Sequence, residues 1–133
     1  MNYELPTLTD RAKSTIVDMV LIFLLMGVVS EVFNLFTNVP DSIRIGAMIM
    51  MILYDPIFTS TTCTLGQKIA GVRVRNFAKL HYDNEEVRIG FLQAALRIVV
   101  KSILGGVTVI SFFLNDEKRM LQDFASGSIV IKK

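Results

Sequence analysis

Residues 14–36 read STIVDMVLIFLLMGVVSEVFNLF. As an α-helix these 23 residues extend about 35 Å, enough to cross a bilayer core of about 30 Å. Two acids interrupt the run, Asp18 near its start and Glu31 near its end. Arg11 and Lys13 precede it, as basic residues precede a secretion signal. The run is too long for a signal core, however, it contains Asp18, and no small-x-small cleavage site stands before Glu31. It reads as an uncleaved membrane span. In the polar lead, Met1 to Lys13, Thr9 or Asp10 offers the N-cap.

Downstream, Thr37-Asn38-Val39-Pro40-Asp41-Ser42 is a connector of turn formers, with Asp41 or Ser42 placed to cap the next helix. A second apolar run, Ile43 to Phe58, carries Arg44 near its start and Asp55-Pro56 near its end. Thr59, Ser60, Thr61 and Thr62 extend it to a span over about 43–62, their hydroxyls able to bond carbonyls left free around Pro56.

From Thr64 to Arg88 the chain is polar and mostly basic. Within it Gly71-Val72-Arg73-Val74-Arg75 alternates with period two, as a short strand does. Residues 76–84 read as a loop, and Asp83 with Glu86 resembles a capping box that opens a helix. The amphipathic segment 86–114 has Gln93, Arg97 and Lys101 on one polar stripe at spacing four, amid Phe91, Leu92, Ala95, Ile98, Val99 and Ile103. That is the pattern of an interfacial helix. Gly90-x-x-x-Ala94 permits close helix packing. Gly105-Gly106 breaks the segment, and Val107 to Leu114 is too short to cross alone. The tail, 115–133, holds a short charged helix over Asp116 to Phe124 and a second strand-like piece, Ser128 to Lys132.

Composition agrees with a membrane protein. With 52% hydrophobic and 20% charged residues and a mean hydropathy of +0.52, the chain lacks the polar surface a soluble domain of 133 residues needs. A net charge of +2, with basic residues interleaved among apolar runs, argues against nucleic acid as a partner. The single Cys63 permits neither an internal disulfide nor a thiolate metal cluster. Thr64-Leu65-Gly66-Gln67-Lys68 lacks the upstream glycine and the following Ser or Thr of a P-loop. With no nucleophile–base constellation either, the expectation is a non-enzyme with no catalytic residues, metal or cofactor. His81 reads as a solvated loop residue, and Met48, Met50 and Met51 as packing surface.

Basic residues near the spans set orientation. The connector at 37–42 has none, whereas the N-terminal flank, the middle segment and the tail are all basic. The connector therefore faces out and both termini face the cytoplasm. A full crossing by 86–114 would export the basic tail, and would also separate two strand-like pieces that are unstable alone. The architecture expected is an all-α membrane protein. It has two full transmembrane helices, an interfacial or re-entrant helical segment and a small cytoplasmic two-strand element. Three spans is the alternative. Lys68, Arg73, Arg75 and Lys79 then meet anionic lipid headgroups, or a protein partner. Glu31 reaches the headgroup region or pairs with Arg44.

Several pieces resemble one family. Arg11 precedes the first span, with Asp18 seven residues later. Thr64 to Val74 resembles a Thr-x-Gly-x-Lys-x-x-Gly-x-x-Val stretch, Arg97 lies in an apolar helix after it, and Arg119 to Val130 resembles a closing Arg-x3-Asp-x-x-Ala-Gly-x-x-Val. Together they resemble the RDD family of small bacterial inner-membrane proteins, over nearly the whole chain, as one domain covering 1–133. The resemblance implies that Arg11, Asp18 and Asp123 are the family's trio, and that the protein transports an ion or small ligand, cation/proton exchange included. Gln122 stands where the family often has His, so no titrating His adjoins Asp123 here, and Ser126 replaces an Ala.

Arg11, Ser14 and Asp18 share one helical face. A charge inside hydrocarbon is costly and needs a partner, and Arg11, Lys68, Arg97 and Lys101 are the available cations. Two readings follow. In one, Asp18 is a proton or cation site, shared with Asp55 and Asp123, because a helix broken at Asp55-Pro56 exposes carbonyls. In the other, Arg11, Asp18, Asp123 and Arg119 form a buried ionic clasp that docks the tail. Arg119 and Asp123, at spacing four, could also be a plain surface pair. With two spans the chain cannot readily enclose a path alone. A transporter would be a homo-oligomer or need partner membrane proteins, and the other class is a non-transporting accessory or scaffold subunit of a membrane complex.

Overall fold

A computed structural model describes residues 3–36, 38–83 and 86–132. The fold is mostly helical with one two-stranded sheet. Helix α1 (Leu8–Asn34) is followed by α2 (Asp41–Thr61), the short α3 (Leu65–Ile69), strand β1 (Val72–Asn76) and α4 (Phe77–Tyr82). Then come α5 (Phe91–Leu104), a 3₁₀ turn at Gly105–Val107, α6 (Thr108–Leu114), α7 (Leu121–Ala125) and strand β2 (Ser128–Lys132). Three helical stretches are long and apolar enough to cross a membrane: α1, α2 and Phe91–Leu114. Their outward faces are apolar. Phe23 is 70% and Leu24 65% exposed, a state that water would penalise and lipid would not.

The elements begin where local chemistry places them. The N-cap of α1 is Thr7 rather than Thr9 or Asp10. Thr7 Oγ1 accepts the Asp10 amide at 3.2 Å, and the Asp10 carboxylate accepts the Thr7 amide at 3.1 Å. Neither Asp41 nor Ser42 caps α2, which starts directly after Pro40. Pro56 lies inside α2 without ending it, and the hydroxyls of Ser60 and Thr61 both donate to the Ile57 carbonyl beside it. Residues 77–82, expected as loop, form α4, because the Asn76 side chain accepts the Lys79 amide as an N-cap. Of the capping box expected from Asp83 and Glu86, residues 84 and 85 lie outside the described residues, and 86–90 form no helix. Helix α5 starts at Phe91, where Gln93 Oε1 accepts the Gly90 amide at 3.0 Å. Of the helix expected over Asp116 to Phe124, only the turn Leu121–Ala125 forms.

The third apolar stretch is not straight. Gly105 adopts φ +49°, which favours glycine and bends the chain between α5 and α6. Lys101 reaches Thr15 of α1, so a straight helix would carry Phe112 about 16 Å farther along. Instead the Phe112 ring lies 5.4 Å from the Arg11 guanidinium, near where α1 begins. The stretch therefore leaves the N-terminal end of α1 and returns to it.

The two strand-like pieces pair with each other. β1 and β2 are antiparallel, with Val74 opposite Val130, and the Lys132 amide donates to the Glu4 carbonyl at 2.8 Å. Val72, Val74, Ile89, Ala94 and Val130 pack on one side of this sheet. Leu80, Ile129 and Ile131, with Tyr3, Leu5 and Phe77, pack on the other. The polar-flanked core is thus concentrated at the end of the bundle where α1 starts. The close contact expected of Gly90 and Ala94 falls on Ala94, which is buried against the sheet.

Candidate functional site

The buried residues of α1 are Arg11, Ser14 and Asp18, one stripe at spacing three and four. Two polar clusters form along it. In the first, Arg11 Nη1 donates to Asp123 Oδ2 at 2.5 Å, and Arg11 Nη2 donates to the Lys118 carbonyl at 2.7 Å. Arg97 of α5 brings Nε within 3.0 Å of Asp123 Oδ1, a charge contact off the line that a hydrogen bond requires. The Met120 amide donates to Asp123 Oδ2 at 3.2 Å, so the same carboxylate caps α7. Burial pushes the Asp123 carboxyl up, but Arg97, Arg11 and the Met120 amide outweigh it and hold it below the usual carboxylate range. This clasp joins α1, α5 and α7, and two guanidiniums on one carboxylate leave it one positive charge in excess.

Asp18 belongs to the second cluster and not to the clasp. Thr64 Oγ1 donates to its Oδ2 at 2.6 Å and the Gly66 amide donates to its Oδ1 at 2.8 Å. Both donors come from the start of α3, where Thr64 is also the N-cap and accepts the Gln67 amide at 3.2 Å. A Cβ on Gly66 would run into the Ser14 carbonyl oxygen and lie 2.7 Å from Asp18 Cγ. Only glycine lets α3 approach α1 this closely. Gln67 Nε2 then donates to Thr59 Oγ1 at 2.9 Å, and Thr59 donates to Asp55 Oδ1 at 2.9 Å. Asp18 and Asp55 are in this way tied to one chain of polar groups running from α1 through α3 to α2. Lys101 donates to Thr15 Oγ1 at 3.1 Å, one turn before Asp18. Among the described residues none of Asp18, Asp55 and Lys101 has an ion-pair partner. The cluster carries one negative charge in excess.

Other residues singled out in the sequence lie elsewhere. Arg119 is buried, its guanidinium 3.8 Å from the Phe77 ring centroid and 4.3 Å from that of Phe124. It donates to the Ser128 and Asp123 carbonyls, not to the Asp123 carboxylate, and so locks α7 onto β2 instead of forming a surface pair. Lys68 is exposed on α3 and joins neither cluster. Among the described residues Glu31 and Arg44 form no ion pair with each other. His81 is half-buried and stacked on Phe77, with ring centroids 5.0 Å apart. No group of His, Cys, Asp and Glu suited to a metal ion occurs among the described residues.

Comparison with family models, curated proteins and solved structures returns no match.

The residues that sequence reasoning did not place at a site are uncharged: Thr15, and Thr59, Thr64, Gly66 and Gln67, which it read only as a helix-end hydroxyl and as parts of the 64–74 stretch. Thr64 with Gln67 three residues later is the spacing of an N-terminal capping signal, and it could have located the start of α3. Nothing local to residues 64–67 shows that the same turn addresses Asp18.

Proposed function

We propose that the chain is an RDD-type protein of the bacterial inner membrane that moves a proton or monovalent cation through the Asp18–Asp55–Lys101 cluster. The observation that carries this reading is the cluster itself. Two carboxylates and one ammonium are joined by neutral hydrogen bonds and, among the described residues, by no ion pair, on helices whose outer faces are apolar. An ionisable group at such depth is costly and is retained where it binds or relays charge. Asp18 is held by a hydroxyl and an amide, neutral donors that orient a carboxylate without cancelling its charge. It is the group that gains and loses the proton or cation. The Arg11–Asp123–Arg97 clasp is the structural partner of this site, closing one end of the bundle.

The membrane arrangement follows the same lines. α1 and α2 span, and α5 and α6 enter and return at Gly105, so the basic sheet end and both termini face the cytoplasm. Its exposed basic residues meet anionic lipid headgroups. One copy encloses no polar path: between Asp18 and Ser30, α1 presents only apolar side chains and Gly27. Transport therefore requires a homo-oligomer or partner membrane proteins.

That same apolar stretch favours a second reading, a non-transporting accessory or scaffold subunit of a larger membrane complex. The far-end crevice between α1 and α2 is lined mainly by apolar residues, Met26, Phe33, Met48 and Met51 among them, with Ser30 and Arg44 as its polar ones. That lining suits helix packing better than ion passage.

Flux decides between the two. Purified protein in liposomes is challenged with Na⁺, Li⁺ or K⁺ gradients while a pH-sensitive dye reports the lumen. Cation-driven proton movement that vanishes in folded Asp18→Asn supports transport. A well-inserted wild type that moves no ion refutes it and favours the accessory reading.

A further inference from the structure

Lys101 lies on α5, and its only hydrogen-bond partner among the described residues is Thr15 Oγ1. The ammonium is therefore held one helical turn before Asp18 by one neutral hydroxyl and, among the described residues, by no salt bridge. Arg97 sits one helical turn away on α5 with its guanidinium at Asp123, part of a clasp that is itself one charge positive. The six charged side chains of the two clusters sum to zero before any ion binds. The two carboxylates alone carry two negative charges, which is the complement of a divalent ion. With the ammonium present, only one negative charge remains there.

We propose that Lys101 is the residue that sets the charge of the bound species: a tethered internal cation that occupies half of the capacity of Asp18 and Asp55 and so restricts the site to a proton or monovalent cation. This inference rests on the reading of Asp18 as a binding site. It makes Lys101 a specificity-determining residue and Thr15 its tether. Removing the ammonium leaves two carboxylates, each bonded by a threonine hydroxyl and linked to each other through Gln67, with no cation between them and Thr15. Such an all-oxygen set suits a hard divalent ion. One unit charge at about 10 Å, at an effective dielectric of about 20, already changes the affinity for a unit charge by more than about tenfold, and more for a divalent ion.

The test is Mn²⁺ binding to purified protein in detergent, read by electron paramagnetic resonance, with flux in liposomes measured in parallel. Lys101→Gln keeps a donor for Thr15 and removes the charge. Lys101→Met is the second variant should Lys101→Gln not fold. The expected result is no saturable Mn²⁺ binding to wild type, and binding to the variant at least about tenfold tighter, abolished when Asp18→Asn is added. A folded variant that gains no Mn²⁺ binding overturns the role of Lys101, whatever the flux. A wild type without flux whose Lys101→Gln form still gains Asp18-dependent Mn²⁺ binding retains that role, while the transport reading falls.

Discussion

Asp123→Asn is the most informative perturbation of the clasp, because it changes charge with almost no change in shape. In the native protein the Asp123 side chain is fully buried between Arg11 at 2.5 Å and Arg97 at 3.0 Å. Asparagine keeps one oxygen that can accept from Arg11, but it places no negative charge between the guanidiniums. The clasp then holds two uncompensated positive charges instead of one. Breaking a buried pair by removing one partner costs about 3–5 kcal/mol, and we expect about 3 here, since one hydrogen bond survives. Adding Arg97→Gln returns the excess to a single charge. At an effective dielectric of about 20 and a separation of about 6 Å, the repulsion so removed is of order 1–3 kcal/mol. The double variant should therefore be more stable than Asp123→Asn alone. Reversible unfolding by denaturing detergent in mixed micelles, followed by circular dichroism, measures both. A loss under about 1 kcal/mol would be the magnitude of an exposed ion pair. That result, or an Arg97→Gln that further destabilises Asp123→Asn, would refute the argument that these charges are buried and mutually compensated.

Acid stability provides a separate check on the same carboxylate. The folded Asp123 carboxyl lies below its unfolded value, so its contribution is fully present above the ordinary carboxylate pKa of about 3.9 and is lost as pH falls through the lower folded value. Wild type should lose stability steeply below about pH 4, and Asp123→Asn should lose less across that window in the same unfolding assay. Gly66→Ala forces α3 away from α1, because its Cβ would meet the Ser14 carbonyl and the Asp18 carboxylate. Hydrogen bonds to a charged group contribute about 1.5–3 kcal/mol each, so losing those from Thr64 and Gly66 should cost about 3 kcal/mol or more. Gly46→Ala, where a Cβ meets nothing, should leave unfolding unchanged or slightly raise stability; equal effects at both positions would count against the close approach.

Some of this fold can be read from residue order because the controlling interactions are local or periodic. Long apolar runs produce α1 and α2, and the strand-like pieces at 71–75 and 128–132 pair, the first one residue farther along at Val72–Asn76. Gly105-Gly106 marks a break that the structure places at Gly105. Boundaries that depend on one side-chain cap are missed by two residues or more, as at Thr7, or missed outright, as at Asn76, where one amide bond turns an expected loop into α4. α3 is five residues long, too short to show any helical period, yet it supplies both donors to Asp18.

The division of the Arg11, Asp18 and Asp123 trio follows from helix geometry. Spacing alone places Arg11, Ser14 and Asp18 on one face, and those are the three residues that α1 buries. Seven residues of helix also separate Arg11 from Asp18 by about 10 Å along the axis, farther than one carboxylate can bridge. The stripe therefore needs two sets of partners at two depths. Arg11 takes an acid from the tail, and Asp18 takes neutral donors from α3. A cation paired with Asp18 would have made a second clasp and left no charge for an ion to answer. Neutral donors order the Asp18 carboxylate without pairing it with a cation, which is why the ion site we propose falls there and the ionic clasp falls at Asp123.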